Sequence, residues 1–383
     1  MQTDAFAIQE DRRARDLFAL WAMWIVVGTL LLWMLSGENA GRYILYVLPP
    51  LLIIVHLVLN RFRLPLDGAG LIALALYSLA VLATLAVNPG LGFYAQRDLL
   101  IIFGYIFIFS LHMEAPAVTA DVVLLGLVGG LLIEAQRQGV SFVVDFSGSR
   151  GILESGLAFP LGVVLIYHMN ERRWGRALIT AMIFVIAFKR IAMVGVLAAV
   201  ALDFLTHRLS QAASRRLFAA AVVLACLVAL FSTMIFGELG TLAGSVSSNA
   251  VSLGRYSFAE ALWAHLSQGG MAHWLFGFGP GAADAWLAHK DILANPHNDW
   301  LKILVDYGAF GLLLLHGVLA VLFPRTRLGN MLYLYAAVLM ITDNTLIYLF
   351  HFAVVFLISR IPPTAMAVHA AGRPRPAVGH QAL

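Results

Sequence analysis

The chain has 383 residues, of which 61% are hydrophobic and only 12% are charged. A soluble domain of this length has too little interior for so many apolar side chains, so the composition excludes a soluble protein and indicates a polytopic membrane protein. The single cysteine, Cys226, excludes disulfides and cysteine-based metal sites within one chain. The formal net charge of +4 comes without a basic patch interleaved with aromatic residues, so it does not indicate a nucleic-acid partner.

About twelve apolar segments approach the roughly 20 residues that cross a bilayer as a helix. They predict an all-α polytopic membrane protein with about 12 transmembrane helices and both termini inside. The basic N-terminus lacks a small-residue cleavage site, so we interpret it as a retained cytoplasmic tail. The predicted regions are a cytoplasmic tail at 1–15, transmembrane helices 1–9 within 16–236, a large periplasmic loop with short helices at 237–299, transmembrane helices 10–12 within 300–360 and a cytoplasmic tail at 361–383.

The basic residues test this threading of the chain. Cytoplasmic segments carry an excess of Lys and Arg. With both ends inside, most of the 25 Lys and Arg residues face the cytoplasm, whereas the mirror-image threading puts the excess outside. The loop at 237–299 is therefore predicted on the periplasmic side. Topology does not explain the basic residues on or near that side, which are Arg42, Arg97, Arg137, Arg150, Lys189, Arg190, Arg255, Lys290 and Lys302.

Lys189 and Arg190 lie between two short apolar runs, 177–188 and 191–205, whose far ends are both predicted to be cytoplasmic. At about 1.5 Å per residue each run reaches roughly 18–23 Å, less than the roughly 30 Å thickness of the hydrocarbon layer. The apex with the two cations should therefore lie below the outer membrane surface and line a water-filled or ligand-filled cavity. Alternatively, the helices extend into the flanking polar residues and the pair snorkels to the interface.

Two further arginines on that side follow polar loops. Arg97 comes after a Pro/Gly loop and precedes Asp98, so the two could form no more than an interfacial anchor. Arg150 lies in the polar segment DFSGSRGILESG, where it could simply be solvated. The fixed charge and forked donors of arginine match phosphate oxygens. Several such arginines therefore favour a lipid-linked phosphate or pyrophosphate as ligand, although a small transported anion fits as well.

The periplasmic loop has the composition of a folded segment. The run 255–270 places Phe258, Leu262, Trp263 and Leu266 on one helical face, which suits a helix lying at the membrane interface. The following HWLFGFGPG contains the glycines of a backbone-shaping turn, and AADAWLAHKDI indicates another short amphipathic helix. The turn is neither a Walker loop nor a dinucleotide fingerprint, because no strand precedes it and no GK[ST] follows.

The loop ends in NPHND, in front of a long apolar run. Asn295 is a good N-cap and Pro296 suits the first helical position, so His297 and Asn298 would occupy the first turn. A helix from Pro296 to about residue 322 is roughly 40 Å long, so its first turn should project above the hydrocarbon layer or border the cavity. His297 is then either a candidate base or a bystander in a helix cap. The loop histidines lack the spacing of a zinc site, and no GxSxG-like element indicates Ser/His/Asp hydrolysis.

This order of elements resembles the signature region of the O-antigen ligase and O-antigen polymerase superfamily, multi-spanning bacterial inner-membrane glycosyltransferases with a C-type (GT-C) fold. The matching pieces are Arg255 ahead of a Trp-containing helix, the GxGxG turn, and the His-Asn pair leading into a YGxxG segment. FKRIAMVGVLAAV is similar to the family's Ser-Arg-Gly span, with Lys189 in place of the Ser and Ile191 in place of the Gly, so Arg190 is the matching charge. SRGILESGLAFP, which contains Arg150, resembles an outer arginine segment before a span.

The resemblance implies glycan transfer from an undecaprenyl-pyrophosphate-linked donor at the periplasmic face, with no metal or other cofactor. Arg190 and Arg255 would bind the pyrophosphate and stabilise the charge of the leaving group. His297 would deprotonate or orient the acceptor hydroxyl, and Asn298 would fix the acceptor or the ring of His297. The residues further predicted to bind the donor are Arg97, Arg150 and Lys189.

The acceptor distinguishes the two activities of the superfamily. Polymerases transfer the growing chain onto another lipid-linked repeat unit, and ligases transfer the glycan to lipid A–core. We slightly favour a polymerase of O-antigen or exopolysaccharide, with an O-antigen ligase as the alternative. The expected partners are the donor, a glycan or lipid A–core acceptor, the bilayer and proteins of polysaccharide export. A flippase or transporter for an anionic lipid should show an internal repeat, which we do not find. A peptidoglycan-type polymerase of similar topology is a third alternative.

Overall fold

The computed structural model describes residues 2–36, 38–62, 68–111, 113–138, 155–231, 255–290, 297–343 and 345–362. Within these ranges the chain is all-helical, as the sequence predicts. The helices are α1 (Gln2–Ser36), α2 (Glu38–Leu59), α3 (Gly68–Val87), α4 (Phe93–Ser110), α5 (Thr119–Gln138), α6 (Ala158–Asn170), α7 (Trp174–Ala187), α8 (Arg190–Thr206), α9 (Gln211–Leu230), α10 (Arg255–Gln268), α11 (Met271–Phe276), α12 (Ala282–His289), α13 (Asp299–Leu322), α14 (Arg327–Leu339) and α15 (Leu349–Ser359), with a 3₁₀ turn at Thr345–Ile347.

Six segments of the described helices are long and apolar enough to cross a membrane. They are Asp16–Ser36, Gly68–Val87, Phe93–Ser110, Thr119–Arg137, Gln211–Leu230 and Asp299–Leu322. Shorter apolar helices accompany them at Tyr46–Leu59, Ala158–Asn170, Trp174–Ala187 and Leu349–Ser359. The chain is therefore a multi-pass membrane protein. The finer count of about twelve spans and the GT-C fold stay predictions.

Burial separates the central helices from the peripheral ones. In α14 and α15 almost every side chain is buried, and α6 is buried from Ala158 to His168. A helix that is apolar on all sides belongs in the interior of a bundle. The helices α7, α8 and α9 instead expose large apolar side chains, among them Leu178, Leu197 and Leu224. These peripheral helices therefore form part of the surface that faces lipid.

Antiparallel packing gives the bundle two ends. Near the end of α8, Asp203 Oδ1 accepts a hydrogen bond from Arg327 Nε at the start of α14, at 2.7 Å. Midway along the same pair, Gly195 packs against the ring of Tyr335. The start of α8 therefore lies level with the end of α14. The start of α13 lies there too, because the backbone N–H of Asp299 donates to the carbonyl of Met340 at 3.0 Å. We call this the His297 end.

The opposite end, which we call the arginine-rich end, carries most of the described basic residues. Arg176 pairs there with Asp121 at 2.8 Å, and Arg215 donates to the side chain of Asn330 at 2.8 Å. This uneven distribution is the one that the positive-inside rule expects of a cytoplasmic end. The described arginines of this end include Arg61, Arg172, Arg173, Arg176, Arg208, Arg215, Arg216, Arg325, Arg327 and Arg360.

Helix α13 differs from the helix that the sequence indicated. Its N-cap is Asn298, whose Oδ1 accepts a hydrogen bond from the backbone N–H of Leu301 at 3.0 Å. The predicted N-cap at Asn295 was therefore wrong, and His297 precedes the helix instead of lying in its first turn. An asparagine in either position can cap a helix, and local sequence does not decide between them. The helix is also interrupted at Gly308, whose φ is 68°. Asn295 and Pro296 lie outside the described residues.

Candidate functional site

His297 lies directly before α13 in a backbone conformation that is uncommon for a residue with a side chain. Its φ is 47°, in the left-handed region, where a non-glycine residue is strained. Its side chain is about one third exposed (32%), but Nδ1 is buried and makes no hydrogen bond. The ring lies against that of Phe258 in α10, with 6.2 Å between the ring centroids. A strained, partly exposed histidine with a buried ring nitrogen has the features of a functional residue.

Asp343 faces the imidazole of His297. Its Oδ1 lies 3.8 Å from Nδ1 of His297, and its side chain is only 3% exposed. This distance is too long for a direct hydrogen bond. Catalytic hydrogen bonds are often long without substrate and shorten when it binds. The pair can therefore act as a base and its orienting carboxylate. Asp343 was not among the predicted site residues, although the polar run Thr342-Asp343-Asn344 between two apolar segments is a signal that could have indicated it.

A set of bonds to Asp299 brings the loop of Asp343 to His297. The backbone N–H of Asp299 donates to Met340. Oδ2 of Asp299 accepts from the hydroxyl of Thr345 at 3.0 Å and from the backbone N–H of Leu346 at 2.9 Å. The first residue of α13 thus holds both ends of the loop that contains Asp343. Asp299 is fully buried and was not predicted to be a site residue.

The side-chain amide of Asn298 forms hydrogen bonds to the backbone through both its oxygen and its nitrogen. Its Oδ1 caps α13, and its Nδ2 donates to the carbonyl of Ala229 in the last turn of α9 at 2.9 Å. The last carbonyls of a helix have no partner within the helix, and Trp263 Nε1 satisfies the next one, that of Leu230, at 3.1 Å. Asn298 and Trp263 therefore fix the start of α13 and helix α10 to the end of α9, with His297 between them.

Lys189 and Arg190 lie at the turn between α7 and α8, at the His297 end. The helices have 14 and 17 residues, so each is about 21–26 Å long and shorter than the roughly 30 Å hydrocarbon layer. The preceding Phe188 has a φ of 27° and is buried, so this turn is also strained. Arg190 is exposed and Lys189 is half-buried. The turn that the sequence predicted is therefore present, and it joins the end of the bundle at which His297 lies.

Two other predicted arginines are described less fully. Arg255 is the first residue of α10, and its side chain lies outside the described residues. Phe258, one turn further along α10, lies against His297, so the first turn of α10 adjoins the candidate base. Arg150 lies outside the described residues.

Arg97 takes part in a different structure, which we call the closed charge cluster: Arg97, Asp98, Asp284, Lys302 and Asp306. Arg97 Nη2 lies 2.7 Å from Asp98 and 2.6 Å from Asp284. Lys302 Nζ lies 2.6 Å from Asp98, 2.8 Å from Asp284 and 2.7 Å from Asp306. Burial raises the pKa of the Asp284 carboxyl, but the charges of Lys302 and Arg97 outweigh burial and hold this pKa below its usual value. Two cations and three carboxylates thus largely neutralise one another.

The GxGxG turn connects this cluster to α13. Gly277, Gly279 and Gly281 all have positive φ, as the sequence predicts of a backbone-shaping turn. Because α13 is interrupted at Gly308, two of its carbonyls accept hydrogen bonds from the turn. The N–H of Phe278 donates to Val305 at 2.9 Å, and that of Gly279 donates to Asp306 at 3.0 Å. The turn therefore holds α12, which carries Asp284, against the charged face of α13.

One of these glycines leaves no room for a side chain. A Cβ at Gly277 would lie 2.3 Å from the carbonyl oxygen of Asp306. The carbonyl of Gly277 accepts a hydrogen bond from the side chain of Asn88, which lies just beyond the end of α3, at 2.9 Å. The turn is thus in backbone contact with α13 on one side and is bonded to the end of α3 on the other.

Comparison with known proteins gives one match. The family model described as O-antigen ligase matches residues 175–316, somewhat more than a third of the chain. No curated protein and no solved structure matches. The matched region includes Lys189, Arg190, Arg255, the GxGxG turn, His297 and Asn298, whereas Arg97 and Asp343 lie outside it. The family consists of glycosyltransferase-like enzymes, ligases and polymerases. This match confirms that the chain resembles the O-antigen ligase and O-antigen polymerase superfamily.

Proposed function

We propose that the protein is a glycosyltransferase that polymerises repeat units of O-antigen or exopolysaccharide at the periplasmic face of the bacterial inner membrane. Its donor would be an undecaprenyl-pyrophosphate-linked glycan. The observation that carries the proposal is that His297 faces Asp343 at the same end of the bundle as Lys189 and Arg190. The arginine-rich end would then be cytoplasmic, and the His297 end would face the periplasm.

In this proposal His297 is the general base. With Nδ1 directed at Asp343, Nε2 is the nitrogen that accepts the proton of the acceptor hydroxyl. The acceptor oxygen forms a bond to the anomeric carbon of the donor sugar, and the bond from that carbon to the pyrophosphate oxygen breaks. The electron pair leaves with the pyrophosphate. Asp343 stabilises the imidazolium that forms and holds the ring in one orientation, as the carboxylate does in other carboxylate–histidine pairs.

The cations at the His297 end would act on the leaving group of the reaction. Arg190, Arg255 and Lys189 would bind the pyrophosphate and stabilise the negative charge that grows as it departs. Arg150 would join them from the segment before α6. Asn298 would act by position, because its amide is bonded to the backbones of α13 and α9 and so fixes the residue next to His297. The short lengths of α7 and α8 would place Lys189 and Arg190 at the depth of a membrane-bound pyrophosphate.

Arg97 has another role in this mechanism. Arg97 was predicted to bind the donor, but its guanidinium is bonded to Asp98 and Asp284, and its side chain is only 14% exposed. An arginine that is already paired with two carboxylates has little remaining attraction for a phosphate. We therefore propose that Arg97 supports the site through the closed charge cluster.

A transfer assay with a purified lipid-linked donor tests the assignment. The variants are Arg190→Ala, Arg255→Ala and His297→Ala, each checked for insertion into the membrane. His289→Ala is the matched control, because His289 is an exposed histidine at the end of α12. We expect the three variants to lose most of their transfer activity and the control to keep it. Near-normal transfer by all three would refute the proposal.

Two further outcomes distinguish the alternatives. A deletion strain that accumulates single lipid-linked repeat units indicates a polymerase. A strain that retains full-length glycan on its lipid carrier, with unmodified lipid A–core, indicates a ligase. Flux of a lipid-linked anion across proteoliposomes without any covalent product would indicate a flippase.

A further inference from the structure

The loop helix with an exposed apolar face is not the one that the sequence indicated. The sequence predicted that α10 lies at the membrane interface through Phe258, Leu262, Trp263 and Leu266. Leu262 and Leu266 are fully buried against the protein, and Phe258 and Trp263 are half-buried. The next helix, α11, exposes Met271 to 74% and Leu275 to 44%. These two residues are four positions apart and therefore share one face of the helix.

Helix α11 is joined to the lipid-facing surface of the bundle. Phe276, at its end, lies against Phe310 of α13, with ring centroids 5.9 Å apart. Leu313, one turn further along α13, is 68% exposed within a segment long and apolar enough to cross the membrane. The exposed side chain of Leu313 is thus linked through the half-buried Phe310 and Phe276 to α11, at the point where α11 packs on α13.

We infer that Met271 and Leu275 insert among the acyl chains of the leaflet at the His297 end, so that α11 anchors the loop to the bilayer. Lipid is the occupant that fits this face. A stable protein–protein interface buries about 800 Å² on each partner, and two apolar side chains on a six-residue helix are far too few for that. A short helix whose exposed apolar side chains adjoin the lipid-facing surface of the bundle is instead suited to bury them at the membrane interface.

The anchor is rigidly connected to the candidate site. A Cβ at Gly308 would lie 2.4 Å from the carbonyl of Leu275, so the backbones of α11 and α13 are in direct contact. Gly277, which ends α11, touches the backbone of Asp306 in the same way. Any displacement of α11 in the membrane is therefore transmitted to α13, which begins next to His297. The lipid contact would thus fix the height of the site above the hydrocarbon layer.

Spin labels test the anchor without reference to any enzymatic activity. In a Cys226→Ala background, Met271→Cys and Leu275→Cys are labelled in lipid nanodiscs. Ser267→Cys and Ala285→Cys, at exposed positions of α10 and α12, are the controls. Labels at 271 and 275 should collide more often with oxygen, which concentrates in lipid, than with a water-soluble nickel complex. The control labels should show the opposite preference. Equal access of the nickel complex to all four positions would overturn the inference.

Oxidation of the unmodified protein is an independent measurement. Met271 is more exposed in the structure than Met182, an exposed methionine of α7. If α11 lies in lipid, aqueous peroxide should oxidise Met271 in nanodiscs no faster than Met182. Rapid oxidation of Met271 alone would contradict the anchor. Protection of Met271 that appears only at high protein concentration would assign this face to contact between two copies, which also overturns the lipid contact.

Discussion

The His297 end of the bundle contains two groups of cations whose surroundings differ. Arg97 and Lys302 lie within the closed charge cluster, where their side chains are 14% and 7% exposed and touch three carboxylates. Arg190 is exposed and Lys189 is half-buried, at a turn strained by the positive φ of Phe188. Removing a cation from among buried carboxylates leaves them uncompensated and destabilises a fold, whereas an exposed cation at a strained turn can meet a ligand.

The two groups of cations would have different roles at the site, one structural and one in contact with substrate. The closed charge cluster joins α4, α12 and α13 and thereby holds the GxGxG turn against the interrupted helix. The turn between α7 and α8 and the His297–Asp343 pair belong to the part that would contact substrate. If this division is correct, substitutions in the cluster should lower stability first, and substitutions in the His297–Asp343 pair should lower activity at unchanged stability.

Lys302→Met should have the largest effect. It removes the ammonium that lies between Asp98, Asp284 and Asp306 and leaves these carboxylates buried together. Breaking a buried ion pair from one side typically costs about 3–5 kcal/mol of the free energy of unfolding. We expect a low yield of folded protein and a markedly lower Tm in detergent. Lys290→Met is the matched control, since Lys290 is exposed, and equal Tm values for the two variants would show that the cluster does not stabilise the fold.

Asp343→Asn should lower turnover with little change in stability. The amide keeps the shape of the side chain but cannot stabilise a protonated His297, so kcat should fall by about 10²–10⁴-fold, the usual contribution of general base catalysis. The pH profile of kcat should also change, which loss of packing alone would not produce. Asp121→Asn is the control, because this aspartate pairs with Arg176 at the arginine-rich end. Unchanged kcat and pH profile in Asp343→Asn would separate this aspartate from the reaction.

Gly308→Ala tests the backbone contact between α11 and α13. The new Cβ would clash with the carbonyl of Leu275, and the φ of 68° is strained for alanine. The strain alone costs about 1–3 kcal/mol. Gly175→Ala is the control, since no atom lies within 4 Å of a Cβ at that helical position and alanine there should be neutral or slightly stabilising. A Tm of Gly308→Ala as high as that of Gly175→Ala would mean that the contact between α11 and α13 is dispensable.

The features that could be predicted from the sequence depend on local pattern. The features that were missed depend on contacts between residues that are far apart in the chain. The apolar segments, the GxGxG turn and the apex at Lys189 and Arg190 are all visible in short stretches of sequence. The bond between Arg97 and Asp284 joins residues 187 positions apart, so no local spacing indicates it. Asp343 likewise lies 46 positions from His297 in the chain and faces it because Asp299 holds the loop that contains Asp343. The capping residue of α13 was misassigned because two asparagines, three positions apart, both suit the role.

The smallest predicted effect concerns an aromatic column that holds the loop helices together. His265 of α10 is stacked between Phe278 and Trp286, with ring centroids 4.1 Å apart on both sides, and His273 stacks on the far face of Phe278 at 4.3 Å. Burial lowers the pKa of His265 below its usual 6.5, and the nearby His273 makes a smaller contribution in the same direction. A histidine whose pKa is lowered on folding contributes stability that is present above its unfolded pKa and is lost as the pH falls through the folded one.

We therefore expect amide hydrogen exchange in α10 to α12, corrected for its intrinsic dependence on pH, to quicken as the pH falls below 6.5. His265→Phe preserves the stack but removes the titrating group, so it should weaken this pH dependence. The other groups around the stack, His273 and the ammonium of Lys290, which lies 4.9 Å from the Trp286 ring, are unchanged in that variant. Because the closed charge cluster and the GxGxG turn hold the same helices independently, the change should stay confined to the loop and leave exchange in the bundle unaltered. An identical pH dependence in His265→Phe would show that protonation of His265 does not control the stability of these helices.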